Sequence, residues 1–249
     1  MAPAPAVTVA VPAFNQGRYL ETALESIFDQ GVPVEVYVAD GGSSDGTREI
    51  LERWESRLLG WRSRADRGQA AAINEGVSRG TAPYVCWLNS DDWWLPGGLA
   101  RLLAALQAQP GAPMAYGRVW NHVESTGRQK PVFVRPYSEW MMAQACIVSQ
   151  PGTLVRRDAW QAVGGVDESL HMAMDYDLWW KLIGQRGLPA FVDEFVAVNR
   201  EHRDTKTSTR RALHYREAMA VVRKHHGRVP LKWYLAQPYA VWYRSLVGR

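Results

Sequence analysis

The stretch Trp87-Leu-Asn-Ser-Asp-Asp92 closes an apolar run that begins at Tyr84. This run has the length of a buried strand, and the two carboxylates end it abruptly. In a parallel α/β sheet, ligands bind at the carboxyl ends of the strands. Oxygen ligands at such an edge suit Mg²⁺ or Mn²⁺, ions that commonly hold a substrate diphosphate. An ordinary polar turn is the alternative interpretation of the same pair.

Strands and helices alternate through the first 110 residues. The predicted strands are 7–11, 34–39, 61–64 and 84–88, and the predicted helices include 20–28, 69–77 and 99–107. This alternation predicts an α/β fold with right-handed crossovers, in which helices flank a Rossmann-like, mainly parallel sheet.

The alternation stops near residue 110. Further strands are predicted at 114–119, 131–134, 153–155 and 191–198, with a helix at 175–183. A last helical segment is predicted at 231–246, where Pro238 would kink or split it.

Charge is distributed unevenly along the 249 residues. From Arg200 onward the chain has 12 Lys/Arg against 3 Asp/Glu, whereas the preceding 199 residues have 17 against 22. We therefore expect an α/β domain over residues 1–208 and a basic, aromatic helical extension over residues 209–249. Such an extension indicates an anionic partner surface, either a membrane or a nucleic acid.

The composition also predicts a compartment. The two cysteines form no disulfide framework, residues 1–7 lack the features of a signal peptide, and no apolar run reaches the roughly 20 residues that cross a bilayer. We expect a cytoplasmic protein, with peripheral attachment at the inner face of the plasma membrane if it binds lipid.

Three successive strands are each followed by aspartate: Asp40, Asp66 and the pair Asp91 and Asp92. Taken singly, Asp40 suits a turn before Gly41 and Asp66 suits a helix N-cap. Because parallel strands end at one sheet edge, the aspartates together predict one polar site.

Several segments resemble those of family 2 glycosyltransferases in order and spacing. They are Pro12–Asn15, Ala39–Thr47, Asp66–Gly76 and Leu88–Asp92. In addition, 174–179 resembles the family's segment that carries the catalytic base, and 200–202 resembles its segment near the metal and diphosphate. The resemblance implies the GT-A fold, a nucleotide-diphosphate sugar donor and inversion at the anomeric carbon.

The resemblance also implies roles for individual residues. Those on the nucleotide side would be Pro12, Ala13, Phe14, Asp40, Asp66, Gln69, Asn89 and Ser90. Asp91 and His202 would hold Mn²⁺ or Mg²⁺, and Asp175 would be the catalytic base. Asp92 would bind the metal or the donor sugar. Apart from the resemblance, Gln150 is expected to border the acceptor, and Trp179 is close enough in sequence to Asp175 to stack on a sugar.

The chain departs from the family pattern at two positions. Asn89 stands where the metal motif usually has an acid, so Asp91 must supply most of the direct metal binding. Met174 replaces the leading acid of the base segment, which leaves the base role to Asp175. From the residues alone, an exposed carboxylate or a helix N-cap is the preferred interpretation of Asp175, and Asp177 is expected to be structural.

The resemblance predicts an inverting transferase that moves a sugar, by default from UDP, to a hydroxyl acceptor. A lipid-linked or cell-surface polysaccharide intermediate, as in O-antigen or capsule synthesis, is the expected acceptor. One alternative is a non-catalytic nucleotide-binding relative, which Asn89 and Met174 would suit. Another is a nucleic-acid-binding protein that uses the basic extension. Because no nucleic-acid-binding motif occurs, we expect no nucleic-acid partner.

Overall fold

The computed structural model describes residues 3–203, 205–206, 210–237 and 241. Within these ranges, nine strands form one sheet with helices on both faces. The strands are β1 (Val7–Ala13), β2 (Val34–Asp40), β3 (Gly60–Ser63), β4 (Tyr84–Trp87), β5 (Trp93–Trp94), β6 (Met114–Val123), β7 (Arg128–Pro131), β8 (Thr153–Arg156) and β9 (Ala190–Glu201).

The sheet follows the order β3-β2-β1-β4-β8-β6-β9-β5, with β7 beside β6. Strands β3, β2, β1 and β4 are parallel, as predicted. Beyond β4 the sheet is mixed, because β8 is antiparallel to β4 and β6 while β9 is parallel to β6. The predicted α/β class is confirmed, and its parallel part is concentrated in the first four strands.

Two strands differ from the sequence predictions. The two-residue strand β5 was not predicted, because Trp93 and Trp94 are too few to show a period. Strand β7 lies a few residues before the predicted 131–134, since its four exposed residues pair with the end of β6 instead of entering the core.

Nine helices surround the sheet in the described ranges. They are α1 (Gly17–Phe28), α2 (Thr47–Trp54), α3 (Gln69–Arg79), α4 (Gly98–Ala108), α5 (Glu139–Gln144), α6 (Arg157–Ala162), α7 (Met174–Arg186), α8 (Arg211–His226) and α9 (Leu231–Gln237). None of them is both long enough and apolar enough to span a membrane.

The sheet separates two hydrophobic cores because side chains alternate between its faces. Val7, Val9 and Val11 of β1 join the core beneath α1, α2 and α4. Ala10 joins the opposite core, which contains residues of α3 and of α5 through α9. The molecule is therefore built in three layers, with helices on both faces of the sheet.

The C-terminal helices are part of the second core. Val221 and Val222 of α8 and Trp233 of α9 are buried there together with residues of α7. The predicted helix 231–246 is described only as far as Gln237, and the rest of that prediction lies outside the described residues, apart from residue 241. The expected boundary at 208 also lies outside them.

Close contact between α4 and β9 requires Gly98. A Cβ at this position would lie 2.1 Å from the carbonyl oxygen of Val196. We therefore expect Gly98→Ala to lower the free energy of unfolding by about 1–3 kcal/mol, measured by urea denaturation.

Gly184→Ala is the matched control for Gly98→Ala. Gly184 lies in α7, and its added Cβ would meet no atom within 4 Å. Alanine favours the helix, so the control should be as stable as the parent or up to about 1 kcal/mol more stable. Equal destabilisation of the two variants would contradict the tight packing of α4 on β9.

Candidate active site

The site lies at the carboxyl edge of the parallel strands. Strands β1, β2 and β4 all end there, and the loops after β1 and β4 face each other across the point where the strand order reverses. In open α/β sheets, such a reversal creates a crevice in which ligands bind. The topology therefore brings the loop at Gln16 next to the loop that contains Asp91.

Asp91 is the centre of the site. Its Oδ2 accepts a hydrogen bond from Nε2 of Gln16 at 2.8 Å and lies 3.0 Å from Nε2 of His202. The His202 side chain is almost fully buried, whereas that of Asp91 keeps some exposure. The structure therefore brings together the two residues predicted as metal ligands, which are 111 positions apart.

The end of β9 is fixed to the Asp91 loop by Arg200. Its backbone N–H donates to Oδ1 of Asp92 at 2.9 Å, and its Nε donates to the carbonyl oxygen of Asp91 at 2.9 Å. The Arg200 guanidinium also lies over the rings of Tyr19 and Trp93. These contacts hold His202 beside Asp91.

Asp92 is buried behind this edge, not exposed on it. Oδ2 of Asp92 accepts from Nδ2 of Asn89 at 3.1 Å, while Oδ1 accepts from Arg200. Burial, and then the charge of Asp91, raise the pKa of Asp92 well above its usual range. The structure therefore corrects the predicted sugar contact, since the Asp92 carboxylate binds protein groups.

A chain of amides connects the site to its neighbouring elements. Gln69 donates to Oδ1 of Asn89 at 2.7 Å, and Asn89 donates to Oε1 of Gln150 at 3.0 Å. Gln150 in turn donates to the carbonyl oxygen of Trp87 at 2.7 Å. On the open side, Nζ of Lys206 donates to Oε1 of Gln69 at 2.7 Å.

The loop after β1 supplies an exposed aromatic ring. Pro12 and Ala13 are buried in β1, while Phe14 is 61% exposed. The Phe14 ring lies against Gly41, where an added Cβ would be 3.1 Å from Cδ2 of Phe14. Ser90, by contrast, is buried and donates its hydroxyl to Gln16, so it supports the loop from within.

Asp40 is fully buried at the end of β2. Its Oδ2 accepts from the hydroxyl of Ser63 at 2.6 Å and from the backbone N–H of Ser43 at 3.0 Å. The carboxylate therefore orders the loop after β2. This role agrees with the interpretation of Asp40 as a residue that forms a turn before Gly41.

Asp66 lies after β3 beside an open groove of about 670 Å³. It pairs with Arg62 at 2.9 Å and accepts from the backbone N–H of Gly68 at 2.8 Å, just before α3. Arg64 and Arg67 line the same groove. The N-cap residue of α3 is Gly68, so Asp66 orders the turn before the helix and is not the predicted N-cap.

Asp175 is the second residue of α7, and its Oδ1 accepts from the backbone N–H of Tyr176 at 2.8 Å. Burial raises the pKa of Asp175, and nearby His214 opposes this rise. Cys146 also lies near Asp175, so the segment 146–150 runs from Asp175 to the amide chain at Gln150. A carboxylate with a raised pKa is a better proton acceptor near neutral pH.

Trp179 lies in the core, not at the site. It is fully buried, and its ring stacks on Trp87 with a centroid separation of 5.7 Å and an interplanar angle of 14°. The structure therefore corrects the predicted sugar contact of Trp179. Closeness in sequence to Asp175 was misleading, because Trp179 lies one turn further into α7, where the helix packs on β4 and the Trp179 ring is covered by Trp87.

Gln16 and Lys206 contact the site but were not predicted. Gln16 follows β1 at the same sheet edge as the aspartates. Its position after a parallel strand is therefore the signal that could have predicted it. Lys206 lies four residues after His202 in the basic segment. Its hydrogen bond to Gln69 brings it to the site.

Two solved structures share this fold. Residues 1–349 of S. aureus TarS, in complex with UDP-GlcNAc, give a TM-score of 0.71 at 18% identity and cover 88% of this chain and 66% of that one. The mannosyltransferase PcManGT from Pyrobaculum calidifontis, in complex with GDP-Man and Mn²⁺, gives 0.70 at 21% identity, with 98% and 74% covered. The fold is thus that of the GT-A glycosyltransferases.

Sequence comparison gives the family. The pattern of glycosyl transferase family 2 matches residues 8–164, more than half of the chain, and the chain belongs to that family. The putative teichuronic acid biosynthesis glycosyltransferase TuaG of Bacillus subtilis is 32% identical over 128 residues, which are 44% of this chain and 51% of TuaG. Chondroitin synthase of Escherichia coli is 27% identical over 186 residues, which are 72% of this chain and 26% of that enzyme. This chain therefore spans about half of TuaG and about a quarter of the synthase.

Asp177 stabilises the helix that carries Asp175. It is fully buried, and Lys181, Lys224 and His225 each lie within 2.9 Å of its carboxylate. Burial opposes its charge, but the hydrogen bonds from these groups outweigh burial and hold the pKa of Asp177 below its ordinary value of 3.8. The structural role expected for Asp177 agrees with these contacts.

We expect Asp177→Asn to lower the free energy of unfolding by about 3 kcal/mol at pH 7, because it removes the buried carboxylate that Lys181, Lys224 and His225 contact. A carboxyl whose folded-state pKa is lowered stabilises above its unfolded pKa and loses that effect as the pH falls. The deficit should therefore shrink progressively below pH 4, near the ordinary value of 3.8. Urea denaturation between pH 3 and pH 7 measures it.

Asp158→Asn is the control, because Asp158 forms an exposed pair with Arg186. Its effect should stay within about 0.5 kcal/mol at every pH. A deficit for Asp177→Asn that does not change with pH would contradict the ionised state of Asp177.

Proposed function

We propose that the protein is an inverting glycosyltransferase that moves a sugar from a nucleotide-diphosphate donor to a hydroxyl acceptor. The observation that carries this proposal is the 3.0 Å approach of Asp91 to His202 at the carboxyl edge of the sheet. Family membership and the fold support the same reaction class. Because one fold hosts many activities, the residues of the site carry the assignment of function.

A divalent metal fits the residues at this edge. No group of three or more His, Cys, Asp or Glu side chains suited to a metal occurs in the described ranges. Mg²⁺ and related ions are commonly held by one or two carboxylates together with substrate phosphates. Asp91 and His202 would hold Mn²⁺ or Mg²⁺, and the ion would supply positive charge to the leaving diphosphate.

Cationic side chains of the chain would assist the same diphosphate. Lys206 lies near both Asp91 and Asp66, and burial and the charge of Arg210 lower its pKa while these acids oppose that change. Arg200 lies beside Asp91. Positive groups that are already in place stabilise charge developing on a leaving group at little reorganisation cost.

The nucleotide would lie at the carboxyl edge of the sheet, with its base beside the loops after β1 and β2. We assign Pro12, Ala13 and exposed Phe14 to the nucleobase and ribose, with Asp40 supporting the loop. The nucleotide is UDP by default, and TarS with UDP-GlcNAc and PcManGT with GDP-Man support a choice between UDP and GDP.

Asp175 would accept the proton of the acceptor hydroxyl. Its raised pKa favours this role, and a positioned base typically contributes about 10²–10⁴ in rate. An acceptor placed between Asp175 and the donor would attack the face opposite the diphosphate, which inverts the anomeric carbon. Gln150 would border this acceptor side.

The acceptor is proposed to be a glycan or a lipid-linked intermediate of a cell-surface polysaccharide. TuaG is described as a teichuronic acid biosynthesis enzyme, and another relative is a chondroitin synthase. Both names refer to the synthesis of a polysaccharide. On this proposal the protein works in the cytoplasm, at the inner face of the plasma membrane.

Asp175→Asn and Asp91→Ala should separate chemistry from donor binding. We expect Asp175→Asn to bind UDP with Mn²⁺ as the parent does but to lose about 10²-fold or more in donor hydrolysis. Asp91→Ala should lose the Mn²⁺-dependent part of UDP affinity, because it removes a metal ligand. Calorimetry measures the affinity, and release of UDP or GDP from UDP-GlcNAc, UDP-glucose, UDP-galactose and GDP-mannose measures hydrolysis.

Asp158→Asn serves as the surface control and should match the parent in both assays. Parent-like hydrolysis by Asp175→Asn would remove Asp175 from the base role. A parent protein that binds nucleotide but hydrolyses none of these donors would instead indicate a non-catalytic relative.

We propose in addition that α5 and α9 dock the protein on an anionic membrane. Nε1 of Trp233 in α9 donates to the carbonyl oxygen of Ala143 in α5 at 2.8 Å, so the two helices are neighbours. The apolar side chains exposed on them are Trp140, Leu231 and Leu235, at 68%, 69% and 72%. Arg228 and Lys232 add positive charge, and this combination suits an anionic headgroup layer.

The triple variant Trp140→Ala, Leu231→Ser and Leu235→Ser should lose most of the binding to vesicles that contain phosphatidylglycerol, because it removes the apolar anchors. Co-sedimentation of the full chain measures this binding. Leu188→Ser changes an equally exposed leucine in the loop after α7 and should bind as the parent does. If the parent binds neutral phosphatidylcholine vesicles as well as it binds phosphatidylglycerol vesicles, the proposed contribution of Arg228 and Lys232 is contradicted.

A further inference from the structure

The start of α7 is held by a carboxylate that belongs to another helix. Ala173, the N-cap residue of α7, forms no side-chain cap. Instead, the backbone N–H groups of His171, Met172 and Ala173 all donate to the carboxylate of Glu217 in α8, with shortest distances of 3.1, 2.7 and 3.1 Å. Glu217 thus supplies acceptors to three consecutive donors that precede the helix.

Burial gives these contacts their strength. Glu217 is almost fully buried, so water competes little for the carboxylate oxygens that accept from these N–H groups. A carboxylate at a helix N-terminus is also favoured by the helix dipole. Both effects act on the segment 171–173, which leads directly into Asp175.

The same face of α8 presents a second group to Asp175. His214 lies three residues before Glu217, one turn earlier on α8, and its charge lowers the pKa of Asp175 against the effect of burial. Nδ1 of His214 is buried and has no hydrogen-bond partner in the part of the chain that the structure describes. α8 therefore contacts the start of α7 through Glu217, two residues before Asp175.

We propose that Glu217 is a positioning residue for Asp175, and that α8 belongs to the acceptor side of the active site. This inference rests on the proposed base role of Asp175. Glu217 holds the backbone of 171–173, and this backbone sets where the Asp175 carboxylate stands relative to the acceptor hydroxyl. Its loss therefore affects proton removal but not donor binding, because the donor-side residues Asp91 and His202 lie on other segments.

Glu217→Gln tests this inference, with Lys224→Gln as the matched control. The glutamine keeps the size of the side chain but loses the charge and one acceptor atom. Lys224 also connects α8 to α7, through Asp177, but makes no contact with 171–173. Both variants are measured in the full chain, with UDP and Mn²⁺ for binding and with the four nucleotide sugars named above for hydrolysis.

We expect Glu217→Gln to lower kcat of donor hydrolysis by about 10–100-fold, because small displacements of a reacting group are costly. Its Kd for UDP should remain within about twofold of the parent value. Amide hydrogen exchange over 168–176 should become about tenfold faster or more, since the donors lose their buried partner. Lys224→Gln should match the parent in all three measurements.

A double variant separates positioning from general stability. If Glu217 acts through Asp175, adding Glu217→Gln to Asp175→Asn should leave the remaining rate within about twofold of that of Asp175→Asn. A multiplicative loss in the double variant, or a parent-like kcat in Glu217→Gln, would overturn the inference. If Glu217→Gln is not soluble, Glu217→Asp enters the same assays, and a parent-like kcat together with parent-like exchange would likewise overturn it.

The two proposals fail in different ways. Parent-like hydrolysis by Asp175→Asn defeats the proposed base, whatever Glu217 does. An inactive Asp175→Asn with a fully active Glu217→Gln defeats only the positioning role.

Discussion

The contact between Asp91 and His202 depends on the course of β9. This strand runs parallel to β6, pairs with β5 and ends where its backbone N–H at Arg200 reaches the buried carboxylate of Asp92. This hydrogen bond, together with the one from the Arg200 guanidinium to the carbonyl oxygen of Asp91, joins the end of the last strand to the loop after β4. Two segments more than 100 positions apart thereby form one edge, and every role proposed for the donor side relies on that junction.

The buried carboxylate also explains how the chain accommodates Asn89 in place of an acid. Asp92 already carries a raised pKa next to Asp91, and a third carboxylate would increase the repulsion in a poorly solvated place. The amide of Asn89 donates to Asp92 and Gln150 and accepts from Gln69, whereas an ionised acid could only accept. The departure from the family pattern is therefore matched by a complete set of local partners.

The basic C-terminal segment has two separate uses. Lys224 and His225 neutralise the buried Asp177, and Glu217 accepts from the backbone before α7, so part of α8 serves the interior. Arg228 and Lys232 lie at and beyond its end, next to the exposed apolar side chains of α9. The charge excess that appears as one feature in the sequence is thus divided between internal ion pairs and an outer surface.

The sequence predicted the α/β class and the shared edge of Asp40, Asp66 and Asp91, because apolar periodicity and strand ends are local properties. It could not predict the strand β5 or the mixed half of the sheet, since pairing among β6, β8 and β9 depends on long-range contacts. The assignment of Trp179 relied on closeness along the chain and that of Asp92 on the family motif, and the structure buries both side chains.

By itself, the sequence determined which residues have the chemistry for donor binding and proton removal, since side-chain type and strand position are encoded locally. Only the tertiary structure decided which of these residues meet. Three contacts join segments that are far apart in the chain. His202 approaches Asp91, Trp179 packs against Trp87, and Glu217 accepts hydrogen bonds from the backbone of 171–173. Such contacts follow from how strands and helices pack, which no local pattern of residues records.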